Sequence, residues 1–327
     1  MNPISFVCML FLSAAVCAQS LEPIRQDRQP LTRAEPERAA KAQELLAQAR
    51  AALGQSAKLD EVRTLSVSGK VRRASFSASP GGTSSVSING GDVDPSVYGA
   101  NNLKEEFASG KLEYDFAMPD KFRWQEDVQP FQRLGWLDGE RFWQKNNNRV
   151  LVPPNPHFAE LFRQQLQTGF AHITLGLLLA PPPGFALEFN YVGEKPFQQT
   201  SADVIAITGP GNFQADLYLE QKTHLPLLLR YVIGGVSRPA MSFLPGGSSR
   251  AAGMRAVEIA KQAADAKPPG LQEREKLILF ADYRAAEGVL FPHKITTQIN
   301  GKLIEEILFA KFKVNQPIKP EKFTEKQ

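Results

Sequence analysis

A chain of 327 residues with 43% hydrophobic and 22% charged side chains has globular proportions, which excludes a disordered or fibrous protein and permits one large domain or two small ones. The net charge of +4 is mild, and Lys and Arg are scattered rather than gathered into a basic stripe, so no nucleic-acid partner is expected.

At the start, an apolar run from Ile4 to Val16 leads into Val16-Cys17-Ala18, the spacing that a signal peptidase accepts. Residues 1–18 are therefore expected to be a signal peptide, with the mature chain exported across the inner membrane to the periplasm. The run is too short to serve as a mature membrane anchor. The alternative is cleavage before Cys17 with lipid on its thiol, giving an outer-membrane lipoprotein. Val16 suits that poorly, because such sites take a smaller residue there. Cleavage after Ala18 removes both Cys8 and Cys17, and with them any disulfide, Cys-bound metal or Cys nucleophile.

Residues 19–36 form a polar linker, proline-rich from Leu21 to Pro36. From Glu37 to Leu53, Ala42, Leu45, Leu46, Ala49, Ala52 and Leu53 recur at helical spacing, and Gly54 supplies a stop. After Thr64 the period falls to two: Leu65, Val67, Gly69 and Val71 alternate with polar residues. Ser75 to Asn102 is rich in Ser, Gly and Asn and suits a flexible insertion.

Then Leu112, Tyr114, Phe116 and Met118 alternate with Glu113 and Asp115, as in a strand with one face in water. Pro119-Asp120 turns the chain, and Phe122 and Trp124 resume opposite Arg123 and Gln125. Leu134 and Trp136 precede Asp138-Gly139, a hairpin signal; Phe142 and Trp143 follow, and Asn146 to Asn148 make another turn. Carboxylates on the wet faces, Asp115 and Glu220 among them, are expected at the surface.

Proline at 153–156 breaks the sheet. Phe158, Leu161, Phe162, Leu166, Phe170 and Ile173 then trace a helical stripe that continues to Ala180 and ends at the proline run 181–183. Strands resume through Leu187 to Tyr191, Val204 to Ile207, Phe213 to Leu219 and Leu227 to Ile233. A second insertion, 234–270, carries an Ala-rich helical piece at Arg255 to Ala266. Lys276 to Tyr283, Leu290 to Asn300 and Lys302 to Val314 close the chain, the last two joined by Asn300-Gly301 in the type I′ pattern. With eleven to thirteen antiparallel strands, two or three helices and no βαβ alternation, the fold class is mainly β: a strongly curved sheet that curls to bury its greasy face, with helices plugging the concavity.

Catalytic and metal motifs are missing. The histidines 157, 172, 224 and 293 show no HExxH spacing, no GxSxG occurs, and Gly246 to Arg250 is linker composition. Gly209-Pro210-Gly211 lacks the helix that a dinucleotide fingerprint needs. Asp92, Asp94 and Ser96 begin like a calcium loop, but Leu103 stands where its glutamate would be. No cofactor or metal is expected and the chain is read as non-enzymatic; a hydrolase would need a convergent His/Ser/Asp cluster. Lys70-Val71-Arg72-Arg73 is a basic cluster at a strand end, either solvated or placed to touch acidic lipid head groups.

What remains is apolar excess, with 21 Phe residues, many on one sheet face. A filled core accounts for most of them. The functional alternative is a sheet and lid that bury an acyl chain, worth about 0.8 kcal/mol per methylene.

Several short motifs carry a family resemblance. FAMPDKFRW, then GWLDGERFW with NNNRV, a first helix ending Ala52 to Gly54, LYLEQKTHLPLLLRY (Leu217 to Tyr231) and the closing IKPEKF (Ile318 to Phe323) together resemble the periplasmic lipoprotein-carrier superfamily of LolA/LolB-like proteins. The resemblance implies a single domain from 37 to 323, insertions near 75–104 and 234–270, and a tail at 324–327. It also implies an unclosed β-barrel whose helices lie as a lid over an apolar cavity. It places Leu112, Tyr114, Phe116, Phe122 and Trp124 beside that cavity, and the strand faces add Met118, Trp136, Phe189 and Tyr191. The lid would carry Phe158, Leu161, Phe162, Leu166 and Phe170.

The implied function is an envelope binder or carrier of a lipid or acylated protein, monomeric, with membrane-surface contact. The alternative is a protein-interaction or stress-sensor module on the same fold. Met118 departs from the family, whose carriers often have Arg before the turn proline, so a lid lock of that kind is not implied.

Overall fold

The computed structural model describes residues 36–54, 56–77, 104–147, 149–153, 155–233 and 274–324. The expected signal peptide with Cys8 and Cys17, the calcium-like loop, the insertion 234–270 and most of the first insertion lie outside the described residues.

In chain order, α1 (Pro36–Gly54) and α2 (Ser56–Asp60) precede β1 (Thr64–Ser77), β2 (Lys104–Ala117), β3 (Lys121–Val128), β4 (Phe131–Asp138), β5 (Arg141–Asn146) and β6 (Arg149–Val150). Next come α3 (Pro156–Gly176), β7 (Glu188–Phe197), β8 (Thr200–Gly209), β9 (Phe213–Glu220) and β10 (Pro226–Ile233). The chain closes with β11 (Arg274–Ala286), β12 (Val289–Ile299), β13 (Lys302–Val314) and a 3₁₀ turn at Pro320–Phe323.

All 13 strands form one antiparallel sheet, ordered β6-β5-β4-β3-β2-β1-β13-β12-β11-β10-β9-β8-β7. β6 and β7 are its two edges, so the sheet is not closed into a barrel. Its curvature follows from the packing. One hydrophobic core takes in Phe122 and Leu137 near one edge, Ile205 and Ile207 near the other, and side chains of α1 and α3 between them. A flat sheet of this width could not bring those residues to a common core.

The predicted turns take the backbone they require. Gly139, Asn300 and Gly301 all have positive φ, and the last two form the type I′ pair between β12 and β13. Helix α1 buries the expected stripe of Ala42, Leu45, Leu46, Ala49 and Leu53 and packs on β7 and β12. It ends at Gly54, where φ is +139° and a Cβ would stand 2.4 Å from the Gly288 carbonyl oxygen. Arg50 ties this helix to the end of α3 by donating to the Leu178 carbonyl at 2.5 Å. α3 begins with Asn155, whose side chain accepts from the Phe158 amide at 3.1 Å, followed by Pro156 in the first turn. It ends at Gly176, four residues before the expected stop at Ala180.

Candidate functional site

The concave wall of β1 to β4 is built in rows set by strand register. Leu65, Phe116, Phe122 and Leu137 form one row; Val67, Tyr114, Trp124 and Gly135 form the next; Gly69, Leu112, Glu126 and Arg133 form the third. Leu112, Phe116, Phe122 and Trp124 are buried in the core, and Tyr114 and Met118 pack partly against it. Gly135 makes room for Trp124, whose ring lies where a side chain would be: a Cβ would fall 2.3 Å from the indole.

Phe170 of α3 enters this wall. Its ring stacks on Phe122 at 5.5 Å and on Phe116 at 6.0 Å, while Phe116 and Phe122 stack on each other at 4.9 Å. α3 is thus seated by its C-terminal end, where Phe170, Ala171, His172, Thr174 and Leu175 are buried. From Pro156 to Gly169 no residue is buried. Phe158 and Phe162 are half-exposed, Leu161 is 46% exposed, and Leu166 touches the core edge. Phe162 meets Phe142 of β5 at 6.5 Å between ring centres. The five lid residues therefore lie on one helix, with only Phe170 locked down.

The remaining candidates lie apart. Phe189 and Tyr191 pack against the same core from β7, at the opposite edge of the sheet, the strand on which α1 also rests. Trp136 is placed on the other face. Its register partners are Arg123 and Trp143, and it packs with Trp143, Phe323, Leu134 and Ile318 on the convex side. The reason is the phase of the β3–β4 turn. Val128 opposes Phe131, so the inward set on β4 is 131, 133, 135 and 137. Alternation is legible within a strand, but the turn decides which set faces in.

Two polar groupings correct expectations drawn from the sequence. Asp115 is fully buried rather than at the surface. On the convex face it accepts from Ser66 at 2.6 Å, Arg123 at 2.9 Å and Lys322 at 2.8 Å. Burial alone would raise its carboxyl pKa; Lys322, Ser66 and Arg123 outweigh this and hold it below the usual range. Lys322 arrives from the closing 3₁₀ turn, which also lays Phe323 over the two tryptophans.

Arg73 is only partly exposed, its side chain 13% accessible and held in ion pairs rather than solvated; of that run, Lys70 and Arg72 are exposed, and Arg72 lies 4.2 Å over the Phe107 ring. Arg73 points into the concave face with two partners, Glu126 (Nη1 to Oε2, 2.8 Å) and Glu305 (Nε to Oε2, 2.8 Å). Arg133 adds a second guanidinium to Glu126 (Nε to Oε2, 2.9 Å), and the Tyr114 hydroxyl lies 3.3 Å from Oε1. Burial works against the charged Glu126, but Arg133 and Arg73 reverse the effect and bring its pKa down to about 2. Burial would lower the Arg73 pKa, but Glu305 and Glu126 outweigh it and raise the value, and burial together with the same carboxylates raises that of Tyr114. The greasy wall thus ends on a balanced set of two guanidiniums and two carboxylates. The sequence signal was present, a charged residue at an inward phase in each of four strands, but only the assembled register brings them together.

His172 is another buried titratable group on this face. It stacks on Tyr231 at 3.9 Å and against Phe213 at 4.6 Å, and its Nε2 has no hydrogen-bond partner among the described residues. Burial, with the Lys276 charge adding to it, pushes its pKa down to about 3. Among the described residues, no group of three His, Cys, Asp or Glu could hold a metal ion. A cleft of about 450 Å³ opens beside the β4–β5 hairpin, lined by Trp136, Glu140, Arg141, Phe142, Phe323 and Thr324. It lies against the convex tryptophan cluster, not under α3.

No family model matches the sequence, and no curated protein matches it. Several solved structures are similar. An outer membrane lipoprotein-sorting protein domain from Vibrio parahaemolyticus is 11% identical, with 87% of this chain and 97% of that chain covered at a TM-score of 0.44. A DUF1329 family protein from Desulfovibrio piger is 10% identical, covering 86% and 97% at 0.43. A LolA superfamily protein from Nitrosomonas europaea is 9% identical, covering 87% and 97% at 0.41.

Proposed function

We propose that the protein is a non-enzymatic binder or carrier of the cell envelope, working in the periplasm. It takes the acyl chain of a lipid or lipid-anchored protein between the concave wall and α3. The observation that carries this reading is the one-ended seating of α3. Its first 14 residues hold an apolar stripe over the sheet edge without burying a single side chain, while Phe170 alone plugs the aromatic wall. A helix held this way can lift without unfolding the sheet. Displacing Phe170 forfeits on the order of 3 kcal/mol of burial. An acyl chain of about 12 methylenes offers roughly 10 kcal/mol gross in its place, before ordering costs.

A second reading, an envelope protein-interaction or sensor module, is favoured by the Phe116–Phe122–Phe170 stack, which fills the wall with the chain's own side chains. Native mass spectrometry after mild extraction, paired with uptake of a fluorescent acyl probe, separates the two. Carried lipid, or probe uptake that rises in Phe170→Ala, is expected of a binder. A homogeneous lipid-free protein that takes up no probe would leave only the interaction module.

A further inference from the structure

The sheet edge at β6 carries exposed apolar and cationic residues that no packing accounts for. Val150 is 42% exposed, Val152 77% and Leu161 46%, three of the five large hydrophobic residues that stand out of the surface among the described residues, and all three fall within 12 consecutive positions. Val150 pairs with Lys145 across the β5–β6 hairpin, and the Phe142–Phe162 contact lays the second turn of α3, with Leu161, alongside β5. The three residues therefore share one rim of the molecule.

The charge of this rim is one-sided. From Arg141 to His157 the sequence holds Arg141, Lys145 and Arg149 and no carboxylate. Arg141 is paired with Asp138, whereas Lys145 and Arg149 have no ion pair among the described residues. The flanking Glu160 is held by Arg163. Nonpolar side chains in water beside uncompensated cations are the pattern of a surface that meets anionic lipid, where the side chains enter the interface and the cations face the head groups. An acidic partner with a polar surface would satisfy the cations but would leave Val152, 77% exposed just after β6, uncovered. No helix of the described residues is long and apolar enough to cross a membrane, so contact through α3 would be peripheral.

We propose that the β5–β6 hairpin and the first turns of α3 form a docking rim for an anionic membrane surface. This relocates membrane contact from the Lys70–Arg73 run, where Arg73 is held in ion pairs. It stands apart from the reading of the concave face, because the rim can be tested with no ligand present.

The test is flotation of the full chain with vesicles of phosphatidylcholine alone and of phosphatidylcholine with phosphatidylglycerol. Binding is expected only to the anionic vesicles, weakened at least tenfold in Lys145→Glu/Arg149→Glu and in Val152→Asp/Leu161→Asp, as two cations or two inserted side chains should contribute. Lys70→Glu/Arg72→Glu should bind as the parent does. All the altered residues are at least partly exposed, so an unchanged thermal midpoint certifies the fold. Equal binding to neutral vesicles, undiminished binding by both rim variants, or no binding by the parent chain overturns the proposal. Retained binding in the rim variants with loss in Lys70→Glu/Arg72→Glu would return the contact to the earlier cluster.

Discussion

Replacing Glu126 by Gln probes the ion cluster at the end of the greasy wall. Glu126 is 5% exposed and neutralises both Arg133 and Arg73. The substitution keeps the shape but leaves two guanidiniums facing Glu305 alone. Removing one partner of a buried pair costs about 3–5 kcal/mol, because the remaining charge stays desolvated. For a domain of this size that is a drop of roughly 6–15 °C in thermal midpoint.

The pH dependence gives an independent check. The Glu126 pKa is lowered from 4.5 to about 2, so the unfolded chain takes up the proton first as pH falls. The stabilisation is fully present above 4.5 and is lost as pH drops through that value to about 2. At 1.36 kcal/mol per pKa unit this amounts to about 3 kcal/mol. Glutamine does not titrate, so the variant should lose about that much less than the parent across the same window. Urea unfolding followed by circular dichroism at neutral pH and at steps down to about pH 2 measures both. A variant as stable as the parent at neutral pH, or two curves that stay parallel to acid pH, would refute the assignment of a stabilising buried cluster.

Phe323→Ala strips the cover from Trp136 and Trp143 and should cost about 3 kcal/mol; acrylamide quenching of tryptophan fluorescence should rise, and unchanged quenching would mean that the closing turn does not shield them. Gly135→Ala drives a methyl into the Trp124 indole and should destabilise by roughly 1–3 kcal/mol in chemical unfolding; an unaffected midpoint would contradict the packing of that row. His172, with its pKa pushed down to about 3, should stay neutral. Its imidazole proton resonance should hold constant between about pH 5 and pH 8, where an ordinary histidine titrates. Because the folded value lies below the unfolded one, it should also subtract stability as pH falls from 6.5 toward 3, a slope that His172→Phe removes.

The sequence alone determined the elements and much of their order. Helical spacing located α1, whose stripe faces the core, and α3, whose stripe is buried only from Phe170 on, and period-two runs located the strands because each has one wet face. Turn residues such as Asn300-Gly301 located hairpins because only certain residues accept positive φ. A curved sheet followed from many antiparallel strands with too few helices to cover a flat one, and the resemblance implied that it stays unclosed.

Only the tertiary structure decided what each face meets. Trp136 and Trp124 have the same local signature, yet the turn at Gln129-Pro130 sets β4 out of phase, and one tryptophan goes to each side. Asp115 looked solvated because its strand alternates well, until a segment some 200 residues later in the chain folded over it and brought Lys322 to 2.8 Å. Arg73, Glu126, Arg133 and Glu305 come from four strands, and no local pattern links them. Alternation is a property of one strand, whereas burial and charge pairing belong to register and chain return, which are fixed by contacts between residues far apart in sequence.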